Sequence, residues 1–195
     1  MTKTFSLMFY NTENFYDTVD DPNTMDDEFT PAGFREWTVD RYHNKVEKLT
    51  NVITKIVHPN YPDVISLAEI ENKTVMESIL QEMHQRGLKG YSYLHYDSPD
   101  ERGSDVAMIY NTGTFRVLES HPVLVRLPGI EDRTRDILYV KGTIPNGEVL
   151  HLFTIHFPSR AEGRELSERR RYFAASELRN AVYKLTAEEP DAKVI

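Results

Sequence analysis

The sequence contains no cysteine among its 195 residues. It therefore forms no disulfide, offers no thiolate to a metal ion and has no cysteine nucleophile. It also has no uncharged apolar run near the roughly 18 residues that a membrane-spanning helix needs. The patterns GxGxxG, GxxxxGK[ST], HExxH and GxSxG are missing as well. These absences exclude the common glycine-loop nucleotide sites, zinc proteases and serine hydrolases.

The N-terminal segment MTKTFSLMFYN lacks the apolar core and cleavage site of a signal peptide. A leader missing from this sequence would leave no trace in it. We therefore expect a soluble protein and leave its compartment open, either cytoplasmic or exported.

Acidic residues exceed basic ones, with 31 Asp+Glu against 23 Lys+Arg and a formal net charge of -8. This balance disfavours a protein that coats nucleic acid, although it permits a site that reaches phosphate through a metal ion. A content of 39% hydrophobic and 28% charged residues is typical of a folded globular chain. No linker or repeat divides it, so we expect a single domain over residues 1–195.

Hydrophobic periodicity predicts strand, helix, strand and helix, then a meander of strands and a final helix. The expected helices begin at residue 38 and cover residues 74–86 and 164–187, the last burying Ala174, Leu178, Ala181, Val182 and Leu185. The expected strands cover residues 5–10, 63–69, 91–96, 104–111, 114–127, 135–144 and 148–156, with another beginning at 191–195. This order predicts a layered sheet protein of the α+β class with helices outside.

Charged residues cluster in two segments. The acidic cluster lies in a polar stretch, residues 11–33, which we interpret as a long loop, and its spacing does not match a calcium-binding EF-hand. The basic cluster, residues 169–171, lies on the last expected helix near Glu165 and Glu168. Surface pairing at i,i+4 explains it better than a phosphate contact does.

Three expected strands end in polar residues, namely Asn11, Glu69 and His156. Ligands of α/β sheets bind beyond the carboxyl ends of strands, so these side chains are candidates to converge. Glu suits Mg²⁺, Asn orients a ligand, and His donates to phosphate or moves a proton. The set fits metal-assisted phosphoryl chemistry. Each residue also has a structural alternative: a turn former, a solvated strand end and a hydrogen-bonded structural histidine.

Four motifs, in this order, resemble those of the endonuclease/exonuclease/phosphatase superfamily, the DNase I-like fold. They are FYNTENFYD at residues 9–17, LAEIEN at 67–72, RGSDVAMIYN at 102–111 and TIHFPSR at 154–160. The resemblance covers almost the whole chain and implies a four-layer αββα sandwich.

The same resemblance implies roles for particular residues. Glu69 would ligate the catalytic Mg²⁺ or Mn²⁺, with Asn11 beside that metal, and His156 would contact the scissile phosphate. The residues expected to contact the substrate phosphate are Arg102, Arg135, Ser159 and Arg160. For Asp105 two roles stay open, holding the neighbouring loop or serving the site.

Two later motifs of the family, G-D-F-N and S-D-H, are missing from the sequence. In the family they orient the attacking water and complete the phosphate site. We therefore expect this chain to be a fragment without its C-terminal strands, inactive or nearly so alone. An exposed sheet edge and face would favour self-association.

The leading functional hypothesis is a metal-dependent phosphodiesterase, most simply an endonuclease-like enzyme acting on DNA or RNA. A second hypothesis has the same fold and metal ion but a different substrate, a phosphomonoester or lipid head group such as an inositol phosphate or sphingomyelin. A third is a non-catalytic module that binds a partner or a phosphorylated ligand. Two loops, residues 12–33 and 127–133, would select the substrate.

Overall fold

The computed structural model describes residues 4–56, 61–129, 133–160 and 163–195. Its helices are α1 (Val39–Ile56), α2 (Lys73–Gln85) and α3 (Arg164–Glu188), with a short 3-10 helix at Asp27–Phe29. Its strands are β1 (Leu7–Phe15), β2 (Val64–Ile70), β3 (Tyr91–His95), β4 (Asp105–Asn111), β5 (Arg116–Val123), β6 (Ile137–Thr143), β7 (Val149–Thr154) and β8 (Lys193–Val194). None of the described helices is both long and apolar enough to cross a bilayer.

The strands form two four-stranded mixed sheets. The first sheet has the order β1-β2-β4-β3 and the second the order β5-β6-β7-β8. In the first sheet β1 runs parallel to β2, and in the second β7 runs parallel to β8. The parallel register of β1 on β2 sets Asn11 opposite Ala68, one residue from Glu69.

Three apolar interfaces hold the layers of helices and sheets together. Helices α1 and α2 pack on the outer face of the first sheet through residues such as Val46, Ile53, Met76 and Ile79. The two sheets pack face to face through residues such as Ala68, Met108, Val140 and Leu152. Helix α3 covers the outer face of the second sheet through Ala174, which packs with Val125 and Ile137. The order of layers is therefore αββα, as expected.

Local sequence explains where the first two helices begin. Thr38 Oγ1 accepts a hydrogen bond from Arg41 N at 3.4 Å before α1, and Asn72 Oδ1 accepts from Val75 N at 3.0 Å before α2. Such side chains satisfy backbone donors that the first turn leaves free. Helix α2 begins and ends one residue earlier than expected, and Arg86 is its C-cap.

Two expectations about elements were wrong. Strand β1 continues to Phe15 across a bulge, so the loop begins after Phe15 and not at Asn11. Buried Phe15, Tyr16 and Phe29 also pack this region into the core of the first sheet, which a polar loop would not do. In α3 only Ala174 of the expected apolar stripe is buried, while Leu178, Ala181, Val182 and Leu185 are partly exposed.

Candidate active site

The site is built on a bulge where β1 and β2 adjoin. Glu13, Asn14 and Glu69 all have positive φ, at 58°, 59° and 65°. Such conformations cost non-glycine residues on the order of 1–3 kcal/mol each, so surrounding contacts must hold them. Lys45 Nζ donates to the carbonyl oxygens of Glu13 and Asn14 at 2.5 and 2.9 Å. Thr12 Oγ1 donates to the carbonyl oxygen of Glu69 at 2.9 Å.

The bulge aims two donors at the carboxylate of Glu69. Asn11 Nδ2 donates to Oε1 at 3.0 Å, and the backbone N of Asn14 donates to Oε2 at 2.7 Å. Burial alone would raise the pKa of Glu69, but these hydrogen bonds, helped by the positive charge of Arg102, outweigh it. The pKa of Glu69 is therefore held below its usual value, and the side chain is ionised at neutral pH.

A second chain of contacts leads to His156. Arg135 donates from Nε and Nη2 to Asp100 Oδ2 at 3.2 and 2.8 Å, and both side chains are buried. The Nη1 atom of Arg135 lies 2.8 Å from His156 Nδ1. Arginine has no acceptor, so Nδ1 accepts and the imidazole carries its proton on Nε2. That Nε2 lies 3.5 Å from Glu69 Oε1.

The protonation of His156 follows from the same surroundings. Burial lowers the pKa of His156, and the positive charge of Arg135 lowers it further, against the opposing charge of Glu69. The imidazole is consequently neutral at pH 7. A neutral ring with a fixed Nε2–H is a hydrogen-bond donor of defined direction.

These side chains border a cavity of about 560 Å³. Its charged lining consists of Glu69 with Arg102, Arg135 and Arg171. Phe9, Asn14, Ser159 and His156 lie on its walls as well. Guanidinium groups match the oxygens of phosphate, so the cavity has the chemistry of an anion site next to a carboxylate.

The structure brings most of the expected site residues together. This cavity is lined by Glu69, His156, Arg102, Arg135 and Ser159. Asn11 does not line it but donates a hydrogen bond to Glu69, which does. Arg160 borders a neighbouring cavity beside α3 instead. These residues do not end their strands as expected, because Asn11 and Glu69 lie within strands at the bulge and His156 follows β7 by two residues.

Sequence reasoning missed three contributors. Asn14 acts through its backbone N–H, which no residue type indicates, so its place in the first motif is the one clue in the sequence. Asp100 lies two residues before Arg102 and fixes Arg135, a pairing across distant segments. Arg171 belongs to the basic cluster, yet it donates to the carbonyl oxygen of Pro158 and stacks over Phe157 beside the cavity.

The donor set fits a hard divalent cation at Glu69. Each oxygen of this ionised carboxylate accepts one described hydrogen bond and keeps a further lone pair. Mg²⁺ typically takes one or two protein carboxylates and keeps several waters. Asn11 directs its nitrogen to Glu69, and its Oδ1 accepts from Glu13 N at 2.7 Å. In this arrangement Asn11 orients the carboxylate, and its expected place beside the metal stays a prediction.

Fold and site together define a sandwich protein with a carboxylate–histidine–arginine cavity at one edge of its two sheets. The chain belongs to the endonuclease/exonuclease/phosphatase family, whose sequence model matches residues 6–195. This confirms the resemblance and the DNase I-like fold. A comparison with curated proteins gave no sequence match.

Solved structures share this fold. The catalytic domain of human Nocturnin, solved with a sulfate anion, has a TM-score of 0.60 at 13% identity, covering 94% of this chain and 60% of its own. D. rerio TDP2, complexed with a single-strand DNA product, has a TM-score of 0.54 at 19% identity, covering 97% and 58%. The mannosyl-6-phosphatase of Bacteroides thetaiotaomicron has a TM-score of 0.55 at 12% identity, covering 94% and 60%. The chain thus spans less than two thirds of these proteins, and the likeness concerns the fold.

Proposed function

We propose that this chain supplies the metal- and phosphate-binding part of a metal-dependent phosphodiesterase with endonuclease-like activity. The observation that carries the proposal is the contact chain Asp100–Arg135–His156–Glu69 along an arginine-lined cavity. It combines an ionised carboxylate, a neutral histidine donor and fixed guanidinium groups. Those are the groups that hydrolysis of a phosphate ester needs around its reacting phosphorus.

Glu69 would hold the Mg²⁺ or Mn²⁺ ion, oriented by Asn11 and by the backbone of Asn14. A bound divalent ion polarises a phosphoryl oxygen and lowers the pKa of bound water. Thr12 and Lys45 keep the bulge, and with it Glu69, in one conformation. The carboxylate is therefore in position before any substrate arrives, which lowers the reorganisation that binding requires.

The phosphate would lie between His156 and the arginines. His156 would donate a hydrogen bond from Nε2 to a phosphoryl oxygen. This hydrogen bond would strengthen as negative charge grows on the oxygen in the transition state. Arg102 and Arg171 offer further donors from the cavity walls. Arg135 acts chiefly through His156, because Asp100 and His156 already engage its guanidinium group. Ser159 and Arg160 as phosphate contacts stay predictions.

Turnover also needs a group that orients the attacking water. Among the described residues that line the cavity, Glu69 is the one carboxylate. The G-D-F-N and S-D-H motifs, to which the resemblance assigns this task, are missing from the 195 residues. We infer that the chain alone binds metal and phosphate but hydrolyses esters slowly or not at all.

The test is Mg²⁺-dependent hydrolysis of bis(p-nitrophenyl) phosphate and plasmid DNA. The 195-residue chain would be assayed beside a version that includes any sequence following Ile195 in its gene. Glu69→Gln serves as the site variant and Glu77→Gln, an exposed residue of α2, as the matched control. Metal-dependent diester cleavage that only Glu69→Gln removes supports the proposal, while metal-independent cleavage or none in either form contradicts it.

The phosphomonoester hypothesis is the second candidate. The net charge of -8 gives no general affinity for a nucleic-acid backbone, and one fold neighbour is a mannosyl-6-phosphatase. Parallel assays with p-nitrophenyl phosphate and an inositol phosphate, and with sphingomyelin for a lipid head group, separate these substrates. If the protein binds metal and phosphate but hydrolyses none of these esters, the hypothesis of a non-catalytic binding module is the one that remains.

Self-association stays a prediction as well. Leu7 and Phe9 of the edge strand β1 are exposed apolar side chains, which is the kind of surface on which that prediction rests. Sedimentation velocity at increasing protein concentration tests it.

A further inference from the structure

A second group of potential metal ligands lies where β3 leads into β4. His95 is the last residue of β3, Asp105 is the first of β4, and Asp97 lies in the connection between them. One ligand atom from each of these residues lies within 4.8 Å of the others. None of the three lines the cavity at Glu69.

The imidazole of His95 is buried, and one of its nitrogens makes no hydrogen bond among the described residues. Its side chain is 4% exposed, as is that of Asp105, while Asp97 is 91% exposed. The Nε2 atom makes no hydrogen bond among the described residues, although Asp105 Oδ2 lies 3.4 Å away. Its other nitrogen, Nδ1, lies 3.7 Å from Asp97 Oδ1. A buried polar atom that makes no hydrogen bond lowers the stability of the folded state, so the unsatisfied Nε2 needs an explanation.

We propose that His95, Asp97 and Asp105 bind a divalent first-row metal ion, with Zn²⁺ and Mn²⁺ as the best candidates. Ligands about 2.0–2.2 Å from a tetrahedral ion lie roughly 3.4 Å apart, the separation of His95 Nε2 and Asp105 Oδ2. Imidazole nitrogen favours Zn²⁺, the two carboxylates also suit Mn²⁺, and Ca²⁺ takes oxygen ligands only. One ion binds only one imidazole nitrogen, here Nε2, whereas Asp97 Oδ1 lies 3.7 Å from Nδ1. The exposed Asp97 side chain would therefore turn towards Nε2 to close the site from the solvent side, leaving a position for water.

The ion would fix the loop that carries two residues of the candidate active site. Ser98 donates from its hydroxyl to Asp105, and the backbone N of Asp100 lies 3.5 Å from Ser98 Oγ. Asp100 Oδ1 in turn accepts from Arg102 N at 3.1 Å. Asp105 therefore holds the loop, one of the two roles that the sequence left open for it. A metal ion at its base would order Asp100 and Arg102 without contacting substrate.

The test is metal binding to the Glu69→Gln variant, in which the candidate catalytic ligand is removed. Chelator-treated protein would be titrated with Zn²⁺, Mn²⁺ and Ca²⁺ by isothermal titration calorimetry. We expect one Zn²⁺ or Mn²⁺ per chain and little Ca²⁺. Adding Asp97→Asn, an exposed change that leaves the fold intact, is expected to weaken binding at least tenfold, and adding His95→Gln to abolish it.

Two exposed residues give matched controls, Asp191→Asn and His43→Gln, which are expected to leave binding unchanged. No Zn²⁺ or Mn²⁺ binding to Glu69→Gln overturns the proposal and leaves His95 as an imidazole between two carboxylates. Binding that survives both Asp97→Asn and His95→Gln overturns it too. The result does not depend on catalysis, so it stands or falls separately from the proposed function.

Discussion

Arg135 donates from Nη1 to Nδ1 of His156 across 2.8 Å. Because a guanidinium group has no acceptor, this contact determines which imidazole nitrogen carries the proton. The proton lies on Nε2, which faces Glu69 and the cavity. Asp100 holds the other side of the same guanidinium group, so three segments distant in sequence set the direction of a single donor.

Arg135→Lys tests this arrangement. One ammonium group does not hold both Asp100 and His156 in the fork geometry of arginine. We expect the Nε2–H tautomer of His156 to lose its dominance in ¹⁵N NMR spectra, and kcat to fall on the order of 100-fold in the form that turns over substrate. Arg126→Lys, at an exposed position, is the control. Spectra showing His156 protonated on Nδ1 before the substitution would contradict the assignment.

Glu69→Gln is expected to weaken Mg²⁺ or Mn²⁺ binding in the cavity by a large factor while leaving the fold intact. The substitution removes the negative charge that attracts the cation, yet it keeps the shape of a side chain at the cavity wall. Circular dichroism checks the fold, and a Mn²⁺ titration followed by EPR is expected to show one bound ion fewer in Glu69→Gln than in the parent protein. Unchanged occupancy would remove Glu69 from the site.

His156→Ala is expected to reduce kcat by about 100- to 1,000-fold with a small effect on KM. A donor that strengthens with developing charge stabilises the transition state more than the bound substrate. Steady-state kinetics on the active form separate the two parameters. An increase in KM at unchanged kcat would make His156 a ground-state binding residue.

Lys45 makes stability depend on pH. Burial lowers its pKa to about 8, against the opposing charges of Glu13 and Glu69. Between pH 8 and the usual lysine pKa near 10.5 the unfolded chain holds more protons than the folded one, so stability rises with pH across that window. We expect the free energy of unfolding of the protein to rise relative to Lys45→Met from pH 8 to pH 10.

Urea unfolding at several pH values measures that difference. Lys89→Met, at an exposed position, is expected to show no such trend. A constant difference between the protein and Lys45→Met over the window would show that the pKa of Lys45 is not lowered.

Gly142→Ala tests the packing between the sheets. A Cβ at this position would overlap the ring of Phe115, which is buried. Overpacking of this kind costs about 1–3 kcal/mol. Urea unfolding is expected to show that loss, and the double variant with Phe115→Leu to recover part of it. Equal stability of Gly142→Ala and the parent protein would contradict the packing described.

Much of the fold followed from periodicity and motif order. The αββα layers were expected, and Glu69 and His156 do meet, although Glu69 lies at the bulge within β2 and His156 lies two residues beyond β7. The bulge of β1 was not foreseen, since the positive φ of Glu13 and Asn14 is held by Lys45, which comes from the distant helix α1.

The remaining gaps have the same physical origin. Asp100 and Arg135 pair across 35 positions, and no local pattern indicates such a contact. Asn14 contributes a backbone N–H, which every residue but proline has. The apolar spacing of α3 predicted a longer buried stripe than the single residue Ala174 that the structure buries. Periodicity indicates which face of a helix is apolar, but not how completely other elements cover that face.

The central claim is that Glu69 places a divalent ion next to a phosphate group held by His156 and the arginines. The most direct measurement is the ³¹P relaxation rate of inorganic phosphate mixed with this chain and Mn²⁺, compared with the Glu69→Gln variant. Mn²⁺ accelerates ³¹P relaxation strongly only when the phosphate binds close to the ion. We expect strong enhancement of the ³¹P relaxation rate with the parent chain and its loss in Glu69→Gln. Equal enhancement in both, or none in the parent chain, would contradict it.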